Sequence, residues 1–270
     1  MPQLLIRSWN LYHGNANPPE RSTYLEHAVR LATADRPDVL VLQELPVWAL
    51  EKLGRWSGMQ AFGEVAARPR IGPLPSTAAI GRAVTSIHPG ALRSAFAGQA
   101  NAILLAPELR ALERRALTLN ARGFRHIQSR RLELGTVARL AWAKERRMCG
   151  AVRAATPDGR TLLVAGLHAT SYPADRRLAD AELLRAAVFA DALAAPEDVC
   201  VLAGDFNVEP ARSRTLPELV SWGFSVPGSG IDHVLVRNAV AGPLEAWPPE
   251  RRRLNRRLLS DHAPVEVRIQ

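Results

Sequence analysis

Eight polar side chains in this sequence share one kind of position. Asn10, Glu44, His168, Asp205 and Asn207 close short apolar runs, while Asp232, Asp261 and His262 open others. The start of an antiparallel strand lies beside the end of its neighbour, so all eight can collect along one sheet edge. Carboxylates gathered there repel, and some of their pKa values rise unless a cation joins them. Carboxylate and amide oxygens are hard ligands suited to Mg²⁺ or Mn²⁺, and no cysteine pair or His-x-x-x-His spacing points to zinc. Two histidines near a hard cation can supply acid and base while the metal stabilises developing negative charge. The reaction class that fits best is hydrolysis of a phosphate ester. Each residue taken singly has a plainer use. An Asp or Asn at a strand end forms turns or caps helices, His168 can be a hydrogen-bonded structural group, and Glu44 before Pro46 can cap a helix. The chemical reading rests on all of them occurring in one order.

The elements that must position these groups are legible as short runs. Leu4–Ile6, Val39–Leu42, Ala102–Leu105, Thr161–Leu167, Val199–Gly204, Val234–Val236 and Val265–Val267 are bounded by turn formers and read as strands, several buried on both faces. Thr156-Pro157-Asp158-Gly159 between two such runs marks a hairpin. Thr23-x-x-Glu26 is a capping-box candidate for a helix reaching about Ala34 and stopped by Pro37. Apolar residues at Leu178, Leu183, Leu184, Ala187, Val188 and Leu193 mark a long amphipathic helix from Asp175 to Ala194. The stretch 66–98, with its Pro and Gly residues, reads as long loops. Helices interleaved with strands and a hairpin predict a mixed sheet in a layered α/β sandwich. There is no internal repeat and no convincing linker, so the expectation is a single domain over 1–270.

Composition narrows the class. The 270 residues are 47% hydrophobic and 23% charged, which argues against wholesale disorder. No apolar run approaches the roughly 20 residues of a membrane span. The start, Met1 to Arg7, lacks a signal-peptide layout, and two cysteines, Cys149 and Cys200, are too few for a disulfide framework. The expectation is a reduced, cytoplasmic protein with no obligate protein partner in evidence. The net charge of +9 suggests a polyanion partner. Lysine occurs only at Lys52 and Lys144, however, so nearly all of the 35 basic residues are arginine, as a GC-rich codon bias also produces.

Ser8-Trp9-Asn10, Leu42-Gln43-Glu44, Gly166-Leu167-His168, Gly204-Asp205-Phe206-Asn207, Ile231-Asp232-His233 and Ser260-Asp261-His262-Ala263-Pro264-Val265 together resemble the endonuclease/exonuclease/phosphatase superfamily, the deoxyribonuclease I-like fold. The motifs run through essentially the whole chain, and GDFN and SDHxPV are the specific ones. The resemblance implies a four-layer α/β sandwich, with two mixed β-sheets packed face to face, helices outside and the site at one end of the sheets. It implies Glu44 as the principal metal ligand, with Asn10 beside it and Asp261 near the metal. It implies that His262, oriented by Asp232, acts on the attacking water or contacts the phosphate. Asp205 would position or activate that water, Asn207 would bind a phosphate oxygen, and His168 would bind phosphate or act as general acid. Asn101 would be a phosphate contact. His233 departs from the pattern, where an aromatic is more usual.

Five arginines, Arg251, Arg252, Arg253, Arg256 and Arg257, occur in the seven residues 251–257, shortly before Ser260. They read either as a rim gripping a polyanion, with Arg251, Arg252 and Arg253 as substrate contacts, or as a solvated basic loop. A second set, Arg110, Arg114, Arg115, Arg122, Arg125, Arg130 and Arg131, reads as a solvated surface with nothing to place it near the site. The expected activity is that of a Mg²⁺- or Mn²⁺-dependent phosphoesterase, a nuclease first. The alternatives are a phosphatase or phosphodiesterase of a small-molecule or lipid head-group phosphate, of inositol or sphingolipid type, and a non-catalytic binding module.

Overall fold

The apolar runs form strands whose two faces differ in kind, and that difference sets the layering. The computed structural model describes residues 3–19, 22–71, 74–77, 80 and 96–270. Strands β13 (Glu245–Ala246), β16 (Val265–Ile269), β1 (Leu4–Asn10), β3 (Val39–Leu45), β7 (Gln99–Leu105) and β4 (Gln60–Ala67) lie side by side in that order as one sheet. Strands β12 (Asp232–Arg237), β11 (Val199–Asp205), β10 (Thr161–His168), β9 (Met148–Ala155) and β8 (Arg110–Thr118) form a second. Short pairings join β14 (Arg253–Leu254), β15 (Arg257–Leu259) and β2 (Ala16–Asn17), and separately β5 (Arg70–Ile71) and β6 (Leu74–Pro75).

Strand alternation then builds the layers. Val39, Val41, Ile103, Val164, Val199, Val201, Val234 and Val236 meet between the sheets, a face made mostly of β-branched residues. Leu40, Leu42 and Leu104 point the other way, under helices α1 (Leu25–Thr33) and α2 (Leu53–Ser57). On the far side, Leu163, Cys200 and Leu202 pack against α5 (Arg177–Leu193) and α6 (Thr215–Ser221). Helices α3 (Arg122–Arg131) and α4 (Thr136–Lys144) lie between β8 and β9 in sequence. The result is the expected four-layer sandwich of two mixed sheets with helices outside. Each fully buried Val or Leu contributes about 1.5–3 kcal/mol to it. Both cysteines are buried and free, and among the described residues no helix is long and apolar enough to cross a membrane.

The strand directions are those that bring the polar ends together. β12 runs antiparallel to β11, with Asp205 directly opposite Asp232, and β10 runs parallel to β11, with His168 opposite Asp205. β16 is antiparallel to β1, and β1 is parallel to β3. The segment holding Asp261 and His262 therefore arrives at the edge where β1 and β3 end.

Several local expectations need correction. Thr23 does not cap α1: Tyr24 occupies the cap position with no side-chain cap bond, and Glu26 pairs with Arg30 one turn on at 2.9 Å. That helix stops at Thr33, before Pro37 can act. The long helix holds as Arg177–Leu193, but Val188 is exposed. Strand β8 had no apolar run to announce it, because its sequence RALERRALT faces solvent at the sheet's end. The stretch 66–98 includes the short β5–β6 pair, and the remaining expectation of long loops falls largely outside the described residues.

Gly204 shows how tightly the edge is drawn. Its φ of 145° suits glycine, and a Cβ built there would fall 1.9 Å from the Leu167 carbonyl oxygen on the parallel strand. Gly204→Ala should cost about 2–4 kcal/mol in denaturant unfolding. A wild-type unfolding midpoint would show that the two backbones can separate freely.

Candidate active site

The end of β3 is built to turn one carboxylate out of the sheet. Between Leu42, opposite Ala102, and Leu45, opposite Ala100, two residues of β3 face one of β7, which is a β-bulge. The extra residue restores Leu45 to the helix-facing side with Leu42 and leaves Glu44 at φ 53°. Tyr12, His13, Asn207 and Ser260 also have φ between 47° and 61°. Left-handed backbone at non-glycine residues costs about 1–2 kcal/mol each and persists only where neighbours enforce it. The enforcing contacts are present. Asn10 Oδ1 accepts the Tyr12 amide at 3.0 Å, Ser260 Oγ donates to the Asn10 carbonyl at 2.7 Å, and the His262 amide donates to Ser260 Oγ at 3.1 Å.

Asp205 stands at the centre, with 1% of its surface exposed. Its Oδ1 accepts the Asn207 amide at 3.0 Å, and its Oδ2 accepts Asn10 Nδ2 at 3.0 Å. The same Oδ2 lies 3.5 Å from His168 Nε2 and 3.8 Å from His262 Nε2. Burial first, then the charges of Asp232 and Glu44, raise its carboxyl to about 7 against the opposing pull of His262 and Asn10.

The two imidazoles are set to opposite charge states. His262 Nδ1 is 2.7 Å from Asp232 Oδ2. Burial lowers its pKa, but the Asp232 hydrogen bond and the charges of Asp232, Asp205 and Asp261 outweigh that and lift it to about 10. His262 is therefore an imidazolium at neutral pH. His168 is held well below its ordinary value by burial and by the Arg147 guanidinium, so it is neutral. Arg147 Nη1 sits 3.0 Å from its Nδ1 and 3.1 Å from its Nε2, and Gln99 Nε2 sits 3.2 Å from Nδ1. Arg147 lies against both ring nitrogens and does not choose between them; with the Gln99 amide oriented to donate, Nδ1 is the acceptor and Nε2 carries the proton toward Asp205 and Glu44 Oε1, the latter at 3.7 Å. A neutral His168 suits binding of a phosphate oxygen better than delivery of a proton.

Glu44 and Asp261 form the other half of the site. Glu44 Oε2 is 3.4 Å from His13 Nε2. Desolvation raises the Asp261 carboxyl, with Glu44 adding to the rise against the pull of His262, and burial with both acidic charges raises the Tyr12 phenol. Among the described residues neither carboxylate forms an ion pair with arginine or lysine. Two acidic side chains with no arginine or lysine partner, beside the Asn10 amide, are the donor chemistry of a hard divalent cation. Asp205, Asp232 and His262 also bring ligand atoms within 4.8 Å of one another. There the imidazole Nδ1 is engaged by Asp232, so that cluster is organised around a proton, although Asp232 Oδ1 is buried without a partner.

The structure thus gathers Asn10, Glu44, His168, Asp205, Asn207, Asp232, Asp261 and His262 at one edge. Asn207 is buried there and spends one amide hydrogen on the Ala169 carbonyl at 3.1 Å. Three expected substrate contacts fall elsewhere. Asn101 is buried between the sheets, donating to the Met148 carbonyl at 3.3 Å, because two residues along β7 is about 7 Å from the edge. Gln99, on the same face, is the β7 residue that reaches the site. Arg252 is buried, and its Nη1 donates to the carbonyls of Leu259, Ser260 and His262 at 2.9–3.0 Å, fastening that loop. Arg251 lies over Trp247 at 3.7 Å and pairs with Asp35 at 2.9 Å and Glu266 at 3.3 Å. Only Arg253 of the three is exposed without an ion pair among the described residues. His13, Gln99 and Arg147 were missed. His13 follows the strand end that carries Asn10, which was its only signal, while Arg147 precedes β9, a strand with no predicted site group. His233, off-pattern in sequence, is buried against Phe206 with its ring 5.0 Å away.

The linkage of His262 to Asp232 has a definite sign. A pKa raised from 6.5 to about 10 contributes stability that is complete below pH 6.5 and lost as pH rises through about 10. In chelator-treated protein, nuclear magnetic resonance should find the His262 ring still protonated well above pH 8. Asp232→Asn should return it toward the ordinary imidazole range. A wild-type midpoint near 6.5 would contradict the ion pair.

Comparison with known proteins bears on the fold and the family. A search of curated proteins finds no match. Among solved structures, the human nocturnin catalytic domain with bound sulfate superposes with a TM-score of 0.66 at 15% identity, covering 100% of this chain and 93% of that one. A conserved protein of unknown function from Enterococcus faecalis gives 0.67 at 14% identity, with 99% of each chain covered. A mannosyl-6-phosphatase from Bacteroides thetaiotaomicron gives 0.60 at 15% identity, again over 99% of each. At such identities the likeness speaks for the fold alone. Residues 8–262 match the model of one sequence family, and on that match this chain belongs to the Endonuclease/Exonuclease/phosphatase family, hydrolases of phosphate esters.

Proposed function

We propose that the protein is a divalent-metal-dependent phosphodiesterase that cleaves nucleic acid. The observation that carries this reading is the division of the edge into two halves. One holds a proton-bearing pair, His262 with Asp232 at 2.7 Å, and the other holds Glu44 and Asp261 with no arginine or lysine partner among the described residues. A neutral-charge substrate would leave both halves unmatched. A phosphodiester meets the imidazolium on one side and a cation on the other.

Glu44, Asp261 and Asn10 would hold Mg²⁺ or Mn²⁺. When bound, the ion would screen the phosphate charge and stabilise the charge that develops on the oxygens. The chain's own groups do the rest. Asp205, raised to about 7 and oriented through Oδ1 by the Asn207 amide, accepts a proton from the attacking water. The His262 imidazolium donates through Nε2 to a non-bridging oxygen, held in place by Asp232. His168 hydrogen-bonds another phosphate oxygen through its Nε2–H, and Gln99 keeps that tautomer. Asn207 retains one amide hydrogen for the phosphate.

The phosphatase reading keeps the same edge and differs only in substrate, and the fold is shared with a mannosyl-6-phosphatase. One assay series separates the two. Purified protein with Mg²⁺ or Mn²⁺ should nick supercoiled plasmid and cut oligonucleotides, and chelator should abolish this. Glu44→Gln and His262→Ala should each lower kcat by about 10²–10⁴. Phosphate release from monoesters without nicking would replace the nuclease reading with the phosphatase one. Full activity in either variant would overturn the site assignment.

A further inference from the structure

Two arginines of the middle segment, Arg122 and Arg125, line a cleft at the sheet edge that carries His168. β8 ends at Thr118 opposite Met148, where β9 begins, and Cys149 sits opposite Leu167 on β10. The loops that follow β8 and precede β9 therefore emerge at the same sheet edge as His168. Between them opens a cleft of about 350 Å³ whose wall includes Arg122, Arg125, Arg146, Asn120, Thr118 and Glu145.

This cleft is built rather than incidental. Asn120 Nδ2 donates to the carbonyls of Trp142 at 3.1 Å and Glu145 at 2.6 Å, and its Oδ1 accepts the Arg147 amide at 2.9 Å. Arg146 Nη2 is fixed by Thr118 Oγ1 at 2.7 Å. Below, buried Glu182 accepts the Trp142 indole N–H at 2.5 Å and the Thr170 amide at 2.7 Å, tying the α4 wall to the loop after His168. The charge is one-sided. Glu145, the acid of the wall, is paired with Arg147 at 2.7 Å, while Arg122, Arg125 and Arg146 form no ion pair among the described residues. Arg125 Nε is buried without a hydrogen-bond partner. A solvated basic face needs neither a hydrogen-bonded wall nor an unmatched buried guanidinium nitrogen.

Arg147 links the two places directly, with Nη2 on Glu145 at the cleft and Nη1 on His168 at the site. Two strand spacings separate β8 from β10, about 10 Å. Along a stacked nucleic-acid strand that is about three nucleotides, each with its phosphate. We propose that the cleft binds a second, non-scissile phosphate of the substrate, so that the enzyme selects esters carrying another phosphate group about 10 Å beyond the phosphate held at His168. A polynucleotide strand supplies that group at a regular interval, and a bisphosphorylated small molecule supplies the same chemistry. The inference rests on phosphate-ester hydrolysis at the His262–Asp205 edge and adds a substrate requirement to it.

The test compares wild type with Arg122→Ala/Arg125→Ala and with Arg122→Glu, each checked for an unchanged thermal unfolding curve. Three substrates are used: a single-stranded oligonucleotide, bis(p-nitrophenyl) phosphate, which has no second phosphate, and a sugar bisphosphate. The ratio of kcat/KM for the oligonucleotide to that for the nitrophenyl diester should fall about tenfold per arginine removed. The salt dependence of oligonucleotide binding should flatten by about 0.7 in log–log slope for each phosphate no longer neutralised. Fluorescence anisotropy with a labelled oligonucleotide in chelator reads this binding without turnover. Equal losses on both diesters, or unchanged anisotropy, would overturn the cleft assignment. Selective loss on the sugar bisphosphate alone would keep the second-phosphate site and identify a small-molecule source. If wild type cleaves none of the three, the hydrolase reading fails, while the anisotropy still decides whether the arginines bind the strand.

Discussion

Asp205 ends a strand whose seven residues are all buried, and its carboxylate is as buried as they are. A charge taken out of water must be matched by fixed donors or neighbouring charges. Much of the surrounding architecture answers that requirement. Asn10 and the Asn207 backbone donate to it, His168 and His262 turn their Nε2 atoms toward it, and Asp232 holds His262 in position from across the strand pair. The parallel pairing of β10 with β11 and the antiparallel pairing of β11 with β12 place these groups in register. Gly204 permits the close strand approach that the register needs. The carboxyl is thereby poised near neutrality, where it can both hold and release a proton.

Half of the ten non-glycine residues with positive φ among the described residues lie where the chemistry is expected. Tyr12, His13, Glu44, Asn207 and Ser260 all adopt left-handed backbone, and all lie close in sequence to an apolar strand end or to a site carboxylate. The bulge in β3 is the clearest case, since without the extra residue Leu45 would face the opposite sheet and Glu44 would stay in the pleat. Arg252 serves the same constraint. Its guanidinium gathers three carbonyls of the loop carrying Asp261 and His262, so a basic residue beside the site holds the backbone and not the substrate.

The strands that matter were legible because they are short, branched and buried on both faces, and each carries its polar group at the end facing the site. Glu44, Asp205 and Asp232 could be placed at one edge from that pattern alone, and the GDFN and SDHxPV motifs supplied the fold. Side-chain destinations were less legible. Arg251 and Arg252 look like rim groups in sequence, but packing over Trp247 and a trio of buried carbonyls claim them. Asn101 and Gln99 share a face of β7, and only the depth of the strand between the sheets decides which reaches the site. Strand β8 and helix α3 hid in an arginine-rich stretch with no apolar period, because one is a solvent-facing edge strand and the other a polar helix. For that reason Arg122 and Arg125 could not be placed relative to the site from sequence.

In the proposed division of labour, Glu44, Asp261 and Asn10 would form the cation's seat, and Asp205, Asp232 and His262 the proton-handling group. Isothermal titration of Mn²⁺ into chelator-treated protein addresses this separation directly. Wild type and Asp232→Asn should both bind the ion, while Glu44→Gln and Asp261→Asn should lose most of the affinity. Binding retained in Glu44→Gln and Asp261→Asn but lost in Asp232→Asn would contradict the separation and move the cation to the histidine side.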